Sequence, residues 1–443
     1  MNESTCTQYV IDGNFPIKGT IKASGNKNAA LPCIAACLLT DQKILLKNVP
    51  EIEDVRVMLD ILKLLGAAVR RKAPGTYEIQ TTDIKTSEIP AEHARAVRAS
   101  ILFAGPLLAR TGRVILPPPG GDVIGRRRLD THFLAFEELG ARVEVDGIFR
   151  LSANKLVGVD LFLDEASVTA TENAVMAAVL AEGTTIISNA ASEPHVQDLC
   201  RMLNAMGGKI SGIGSNILTI QGVKTLSGAE FRIGSDFMEV GSFIGLAAVT
   251  RGDLVIEDAC PENLRMTRVA FSRLGIHWDT DGKNIHVPPV QDLKVVSDLG
   301  GSIPKIDDAP WPGFPADLTS IMTVVATQVD GTVLIHEKLF ESRMFFVDKL
   351  IGMGAGIILC DPHRAVVTGP SRLRASYLVS PDVRAGMAMV IAALCAEGRS
   401  VIDNVYQIER GYESLVDRLK LLGARIERSA PPAEGPESGT RGL

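Results

Sequence analysis

The chain has 443 residues, with 46 Lys+Arg against 52 Asp+Glu and a formal net charge of −6. That is about three typical domains of roughly 150 residues, and the acidic balance is unlike a general nucleic-acid binder, which is usually basic. The seven cysteines (Cys6, Cys33, Cys37, Cys200, Cys260, Cys360 and Cys395) form no CxxC pair, which argues against a disulfide framework or a structural zinc site. No apolar run approaches 18 residues and the N-terminus carries no basic-then-apolar leader, so a soluble chain of the reducing cytoplasm is expected, with no membrane partner.

Taken in order, the elements repeat. A turn, a β-branched strand and a loop lead into an apolar helix that ends at a glycine, and a short strand follows. The strand-and-loop phrase occurs as DQKILLKNVPEIE, TGRVILPPPGGDV, EGTTIISNAASEP, RGDLVIEDACPEN, DGTVLIHEKLFES and EGRSVIDNVYQIE. The helix stops occur as LLGAAV at Gly66, ELGARV at Gly140, AMGGKI at Gly207, RLGIHW at Gly275, GMGAGI at Gly354 and LLGARI at Gly423. Glycine is the expected residue after a helix, where φ turns positive. A spacing of about 70 residues is too long for a solenoid. Six α+β units of this size predict two pseudo-threefold domains of three units each. The last residues, RSAPPAEGPESGTRGL, have the composition of a disordered tail.

Polar residues gather in the loops between these units, and each has a plain structural alternative. SGNKNAALP (24–32) puts Lys27 and Asn28 at a helix start, where exposed N–H groups favour an anion; a simple N-cap with a solvated lysine reads equally well. RAVRAS places Arg95 and Arg98 on one helical face, which is more often a solvated one. PPPGGDVIGRRRLDTH (117–132) surrounds Asp122 with Arg126, Arg127 and Arg128, followed by Asp130 and His132. Guanidinium forks match phosphate and carboxylate oxygens, and the prolines and glycines make this more than an ordinary charged turn. His132 and His195 are candidate general bases, or simply polar surface. FPADLTS (314–320) offers Asp317, a possible N-cap. SPDVRAG and IERGYE pair acids with Arg384 and Arg410. There is no P-loop, no GxSxG and no HExxH, and GMGAG at 352–356 ends a helix where a dinucleotide loop would open one. No metal or cofactor is called for. These residues predict two three-unit domains with cationic loops suited to a small anion, and go no further.

SGNKNAALP, RASILFAGPL, GGDVIG followed by RRRLDTH, SVTATEN, FPADL, ESRMFFV, DVRAG and IERGYE, in this order, resemble the UDP-N-acetylglucosamine 1-carboxyvinyltransferases. The likeness runs from about residue 8 to 428. The related 3-phosphoshikimate 1-carboxyvinyltransferases share the fold, and their motifs fit less well. The resemblance implies an α/β inside-out barrel pair: 27–234 as one domain, 1–26 with 235–428 as the other, and 429–443 as the tail. It implies phosphoenolpyruvate and a uridine nucleotide as partners and an addition–elimination that transfers the enolpyruvyl group to the sugar 3′-hydroxyl.

By the same resemblance, Lys27, Arg98 and Arg127 hold the phosphate of phosphoenolpyruvate, and Arg384 and Arg410 hold its carboxylate. Asp317 takes the hydroxyl proton and, with Asn28, positions the sugar. Arg128, Asp130, His132, Ser167, Val168, Thr169 and Arg343 lie about the nucleotide. Asp122, Asp317, Lys27 and Arg410 are the implied catalytic set, and the loop 117–128 is implied to be a lid.

Two positions depart from the family pattern. Asp122 stands where a cysteine is usual, which implies proton donation by a carboxylic acid and resistance to fosfomycin. Arg128 stands where proline is common beside the uracil. That leaves enolpyruvyl transfer to UMP as an alternative, with a non-catalytic nucleotide-sugar binder behind it. No oligomeric state is implied.

Overall fold

The structure is a computed structural model that describes residues 7–121, 125 and 127–430. Asp122 and Arg126 lie outside the described residues. The expected fold class is what the chain adopts: mixed α and β, with apolar helices inside and small sheets outside. The inner helices are apolar nearly all round, so they have no face to give to water. Lys27–Ala36, Ala104–Thr111 and Val168–Ala178 are buried along most of their length. So are Phe237–Val249, Thr319–Ala326 and Val383–Cys395. The outer helices, such as Glu53–Leu64 and Pro194–Ala205, bury one side only.

Among the described residues there are six sheets, and one rule generates them. The strand after each inner helix takes a parallel neighbour on one side. On the other side lies an antiparallel strand, which also pairs antiparallel with the strand that follows the outer helix. Gly331–His336, for example, lies between Lys305–Asp307 (parallel) and Arg364–Gly369 (antiparallel), and the latter also pairs with Gly356–Asp361. In the sheet of Arg113–Leu116, a single parallel bridge, Glu88 to Ile115, replaces the edge strand. The six glycines picked out by the repeat have φ of 116°, 95°, 96°, 72°, 99° and 86°, all left-handed as their helix-stop role requires.

Two of the parallel edges are exchanged over long distances. Ala229–Arg232 completes the sheet of Ile44–Lys47, and Lys18–Lys22 completes that of Asp253–Glu257. The first strand, Gln8–Asp12, is the antiparallel centre of the last sheet, between Arg399–Asp403 and Arg425–Ser429. That last strand runs through Ser429, one residue into the segment expected to be tail. Two hydrophobic cores result. One draws on residues 29–233, the other on 9–23 and 237–426.

The chain passes between the cores twice, and the two passages lie side by side. Asn26 N–H donates to the Gly234 carbonyl at 2.7 Å, and Asp236 N–H donates to the Ser24 carbonyl at 2.8 Å. Each passage then caps an inner helix. Asn26 Oδ1 accepts from Ala29 N–H at 3.0 Å, and Asp236 Oδ1 accepts from Met238 N–H at 2.9 Å.

Candidate functional site

A cleft of 460 Å³ opens where these capped helices begin. Lys27 and Asn28 enter it from the first turn of Lys27–Ala36, Ser167, Val168 and Thr169 from the start of Val168–Ala178, and Arg384 from the first turn of Val383–Cys395. Helix starts present unpaired N–H groups and the positive end of the dipole, so this convergence favours an anion before any side chain is counted. Arg98, Arg127, Arg128, Asp317, Arg343 and Arg410 complete the predicted residues on the wall.

Two carboxylates, one buried and one half-buried, organise the cations. Asp54, at 3% exposure, lies 2.7 Å from Lys27 Nζ and 2.8 Å from Arg410 Nε, which joins residues of both cores. Burial alone would raise the Asp54 carboxyl; Lys27 and Arg410 outweigh it and hold it below the ordinary value. Asp317 Oδ1 meets Arg343 Nη1 at 3.0 Å and its Oδ2 meets Arg384 Nε at 3.1 Å. Here too burial is the largest influence, and the two guanidiniums overcome it, so Asp317 stays ionised far below the usual carboxylate range. Arg384 is 4% exposed and its Nη1 has no hydrogen-bond partner. A buried guanidinium donor left in this way beside a cleft is a place for an anionic oxygen.

Arg98 Nη2 donates to the carbonyls of Arg127, at 2.6 Å, and Arg128, at 3.4 Å. Burial, reinforced by the nearby Arg127 charge, lowers Arg98 to about 10. The loop root is pinned at two glycines. A Cβ on Gly120 would come 1.7 Å from the Arg95 carbonyl oxygen. One on Gly121, where φ is +109°, would come 2.7 Å from Arg98 Cβ. Gly125 lies against Glu341.

Not every expected residue reaches the cleft. Asp130 lies off the lining and instead pairs with Arg128, a wall residue, whose Nε meets Asp130 Oδ2 at 3.1 Å and Nη2 meets Asp164 Oδ2 at 3.6 Å. His132 is 1% exposed and sits behind the wall. Asn173 Oδ1 accepts from Gly105 N–H, which fixes Nδ2 as the donor to His132 Nδ1 at 2.9 Å. The other ring nitrogen then carries the hydrogen and donates to Thr169 Oγ1 at 3.1 Å. Burial, then the Arg98 charge, lowers His132 to about 3, so it is a neutral support for Thr169. His195 does line the cleft; burial lowers it to about 4 against the pull of Asp317. Asp122 lies outside the described residues.

Sequence reasoning missed Asp54, Glu172 and Glu193. Glu172, 1% exposed, is pushed well up by burial and by the Glu193 charge. Its place in SVTATEN was the available signal. Asp54 had only its position in an acidic helix start. Among the described residues, no group of three or more His, Cys, Asp or Glu side chains is arranged to hold a metal ion, and no helix is long and apolar enough to cross a membrane.

Residues 11–419 match the family described as EPSP synthase (3-phosphoshikimate 1-carboxyvinyltransferase). Within that breadth the relatives are narrower. The UDP-N-acetylglucosamine 1-carboxyvinyltransferase of Treponema denticola is 70% identical over 420 residues, 95% of this chain and 99% of the relative. The chain belongs to the UDP-N-acetylglucosamine 1-carboxyvinyltransferase family. It is therefore a transferase. Members from Treponema pallidum and Borreliella burgdorferi are 65% and 60% identical, covering 94% and 95% of this chain and 98% of each relative. The fold recurs in the enolpyruvyl transferase NikO from Streptomyces tendae, with a TM-score of 0.85 at 21% identity over 97% of this chain and 100% of that one. It recurs in an EPSP synthase from Acinetobacter baumannii, with a TM-score of 0.73 at 17% identity over 96% of this chain and 100% of that one.

Proposed function

We propose that the chain transfers the enolpyruvyl group of phosphoenolpyruvate to the 3′-hydroxyl of UDP-N-acetylglucosamine and releases phosphate, the first committed step of peptidoglycan precursor synthesis, in the cytoplasm. One observation carries the reading: Lys27, Arg98, Arg127, Arg384 and Arg410, from distant parts of the chain, line a single cleft with Asp317. Such a set answers a donor that is anionic at both ends and an acceptor with one proton to lose. Residues 27–234 form one domain and 1–26 with 235–428 the other, with the substrates between them.

In this reading Lys27, Arg98 and Arg127 take the donor phosphate, and Arg384 and Arg410 its carboxylate. Asn28 and Asp317 orient the sugar. Ser167, Val168 and Thr169 face the nucleotide, with Arg128, Arg343, Asp130 and His132 about them. Asp317 as found is a poor base, because two guanidiniums stabilise its charge. The unpartnered Nη1 of Arg384 supports a remedy: a substrate carboxylate draws that guanidinium toward itself and raises the basicity of Asp317. The hydroxyl oxygen then attacks C2 as its proton passes to Asp317, and the Asp122 carboxylic acid protonates C3. Asp122 next takes a proton back from the methyl group while the C2–O bond to phosphate breaks. Closing of the loop 117–128 keeps water from the adduct.

The test is phosphate release from phosphoenolpyruvate with UDP-N-acetylglucosamine or with UMP, each with and without fosfomycin. Turnover of the nucleotide sugar that ignores fosfomycin is expected. Turnover of UMP alone would move the acceptor assignment, and silence with both would leave a binding protein.

A further inference from the structure

Behind Asp317 lies a contact that the proposed reaction does not yet use. Arg343 is 4% exposed and gives Nη1 both to Asp317 Oδ1 and to the Ala316 carbonyl, at 3.0 and 3.2 Å. Its Nε has no hydrogen-bond partner. Facing that Nε at 3.8 Å is Oε2 of Glu337, fully buried and likewise without a partner. Buried polar atoms are almost always paired. Here a guanidinium N–H donor and a carboxyl oxygen stop roughly 1 Å short of a hydrogen bond.

Glu337 cannot close the gap. Its Oε1 accepts from Phe340 N–H at 3.1 Å and Leu339 N–H at 3.3 Å. Its backbone N–H donates to the His363 carbonyl, and its own carbonyl pairs with His363 Nδ1, both at 2.8 Å. The Arg343 guanidinium lies over the face of Phe340, 4.7 Å from the ring centroid, a contact that does not fix its in-plane orientation. Asp308, also fully buried, stands beside Glu337. Burial, with Asp308 adding to it, pushes Glu337 up even though Arg343 pulls it down.

We propose that Glu337 is a positioning residue for proton transfer: it is the second seat of the Arg343 guanidinium, which shifts from Asp317 toward Glu337 as Asp317 takes the proton of the acceptor hydroxyl. The inference rests on Asp317 being the base. In the resting cleft both guanidiniums oppose protonation of Asp317. Arg384 has a substrate carboxylate to turn to. Arg343 has Glu337. When the hydroxyl O–H bond breaks and the C2–O bond forms, the proton neutralises Asp317, and the released Arg343 guanidinium turns its Nε to Glu337 Oε2. After product release the proton passes to water, and Arg343 returns to the ionised Asp317.

The test compares the full-length chain with Glu337→Gln and Glu337→Asp, reading kcat and both KM values in the phosphate-release assay. Glutamine keeps an oxygen for the Leu339 and Phe340 N–H groups and puts an NH2 donor where Oε2 stood, so the seat can no longer accept from Arg343 Nε. Expected is a fall in kcat on the order of tenfold with each KM within about twofold, and a kcat in Glu337→Asp between that of the glutamine variant and the parent. Parental kcat in Glu337→Gln overturns the proposal, as does a joint change in kcat and KM that aspartate does not recover. If the glutamine variant does not fold, Glu337→Asp decides alone: lower kcat at unchanged KM supports the proposal, and parental kcat or altered KM overturns it. Asp317→Asn is run alongside. If it turns over normally the base assignment fails; if it is inactive while Glu337→Gln is normal, only the second seat fails.

Discussion

Arg410 Nε lies 2.8 Å from Asp54 Oδ1, although 356 residues separate them in sequence, and the same carboxylate holds Lys27 Nζ at 2.7 Å. One buried acid thus neutralises a cation from each core. Asp54→Ala would leave two buried charges facing each other, and breaking a buried pair in this way costs about 3–5 kcal/mol. The variant should unfold at lower urea than the parent. Phosphoenolpyruvate should restore more stability to it than it adds to the parent, because the ligand supplies the missing negative charge. Urea titrations with and without the donor substrate check both; parental stability without ligand would remove Asp54 from this role.

Gly121 tests how the loop root sets the anion site. Alanine there adds strain at φ +109° and drives a Cβ into Arg98, whose Nη2 holds the Arg127 carbonyl at 2.6 Å. Displacing both guanidiniums should raise KM for phosphoenolpyruvate about tenfold, a loss of ~1.4 kcal/mol, and move KM for the acceptor far less. Steady-state kinetics with each substrate varied in turn distinguish this from general misfolding, in which both constants rise together.

The buried histidines make the protein acid-sensitive in a defined window. His132 is lowered to about 3 and His195 to about 4, in each case chiefly by burial. Below their ordinary value of about 6.5 the unfolded chain binds protons that the folded chain refuses. Their contribution to stability is therefore complete above about pH 6.5 and falls as pH drops toward the folded values, by at most ~1.4 kcal/mol per pH unit for each ring. Asp54 and Asp317, whose carboxyls are held low, withdraw their contribution only below about pH 3.9. In the same window Glu172 and Glu337, pushed up by burial, favour the folded chain as pH falls, so the test is a difference: from about pH 6.5 to 4.5 the urea midpoint of His132→Gln should lose less, or gain more, than that of the parent, even though the variant is less stable at pH 7. A slope unchanged in the variant would show that His132 already binds a proton in the folded chain.

What could be read from the chain follows from which interactions are local. The six helix stops were legible because a left-handed residue after a helix selects glycine, whatever lies around it. Among the cations of the cleft, composition marked Arg127, in its Pro- and Gly-rich loop; Lys27, Arg98, Arg384 and Arg410 each had a plain structural alternative, and Arg343 was placed by the resemblance alone. Asp54 was not, because its partners Lys27 and Arg410 converge on it only through the fold. His132 drew attention as a polar residue beside three arginines, yet the following helix turns it inward against Asn173 and Thr169. The borrowed edge strands Lys18–Lys22 and Ala229–Arg232 carried no signal of their own, since a parallel partner is set by topology.

Asp122 offers the sharpest chemical prediction, and it follows from the residue type alone. A carboxylic acid can protonate C3 only while it holds its proton, and its ordinary pKa is about 3.9. A thiol in the same loop holds its proton to about 8.5. Asp122→Cys should therefore keep kcat to higher pH than the parent. The thiolate is also a much stronger nucleophile toward an epoxide than a carboxylate. Fosfomycin should leave the parent active and unmodified, and should inactivate Asp122→Cys with one covalent adduct per chain, seen by intact-protein mass spectrometry. Among the described residues the cysteines already present do not confound this: the thiols of Cys33, Cys37, Cys200 and Cys395 are pushed up by burial, and Cys260 and Cys360 are not among the residues lining the cleft. An adduct on the parent chain, or a cysteine variant as indifferent to fosfomycin as the parent, would mean that position 122 does not meet the substrate.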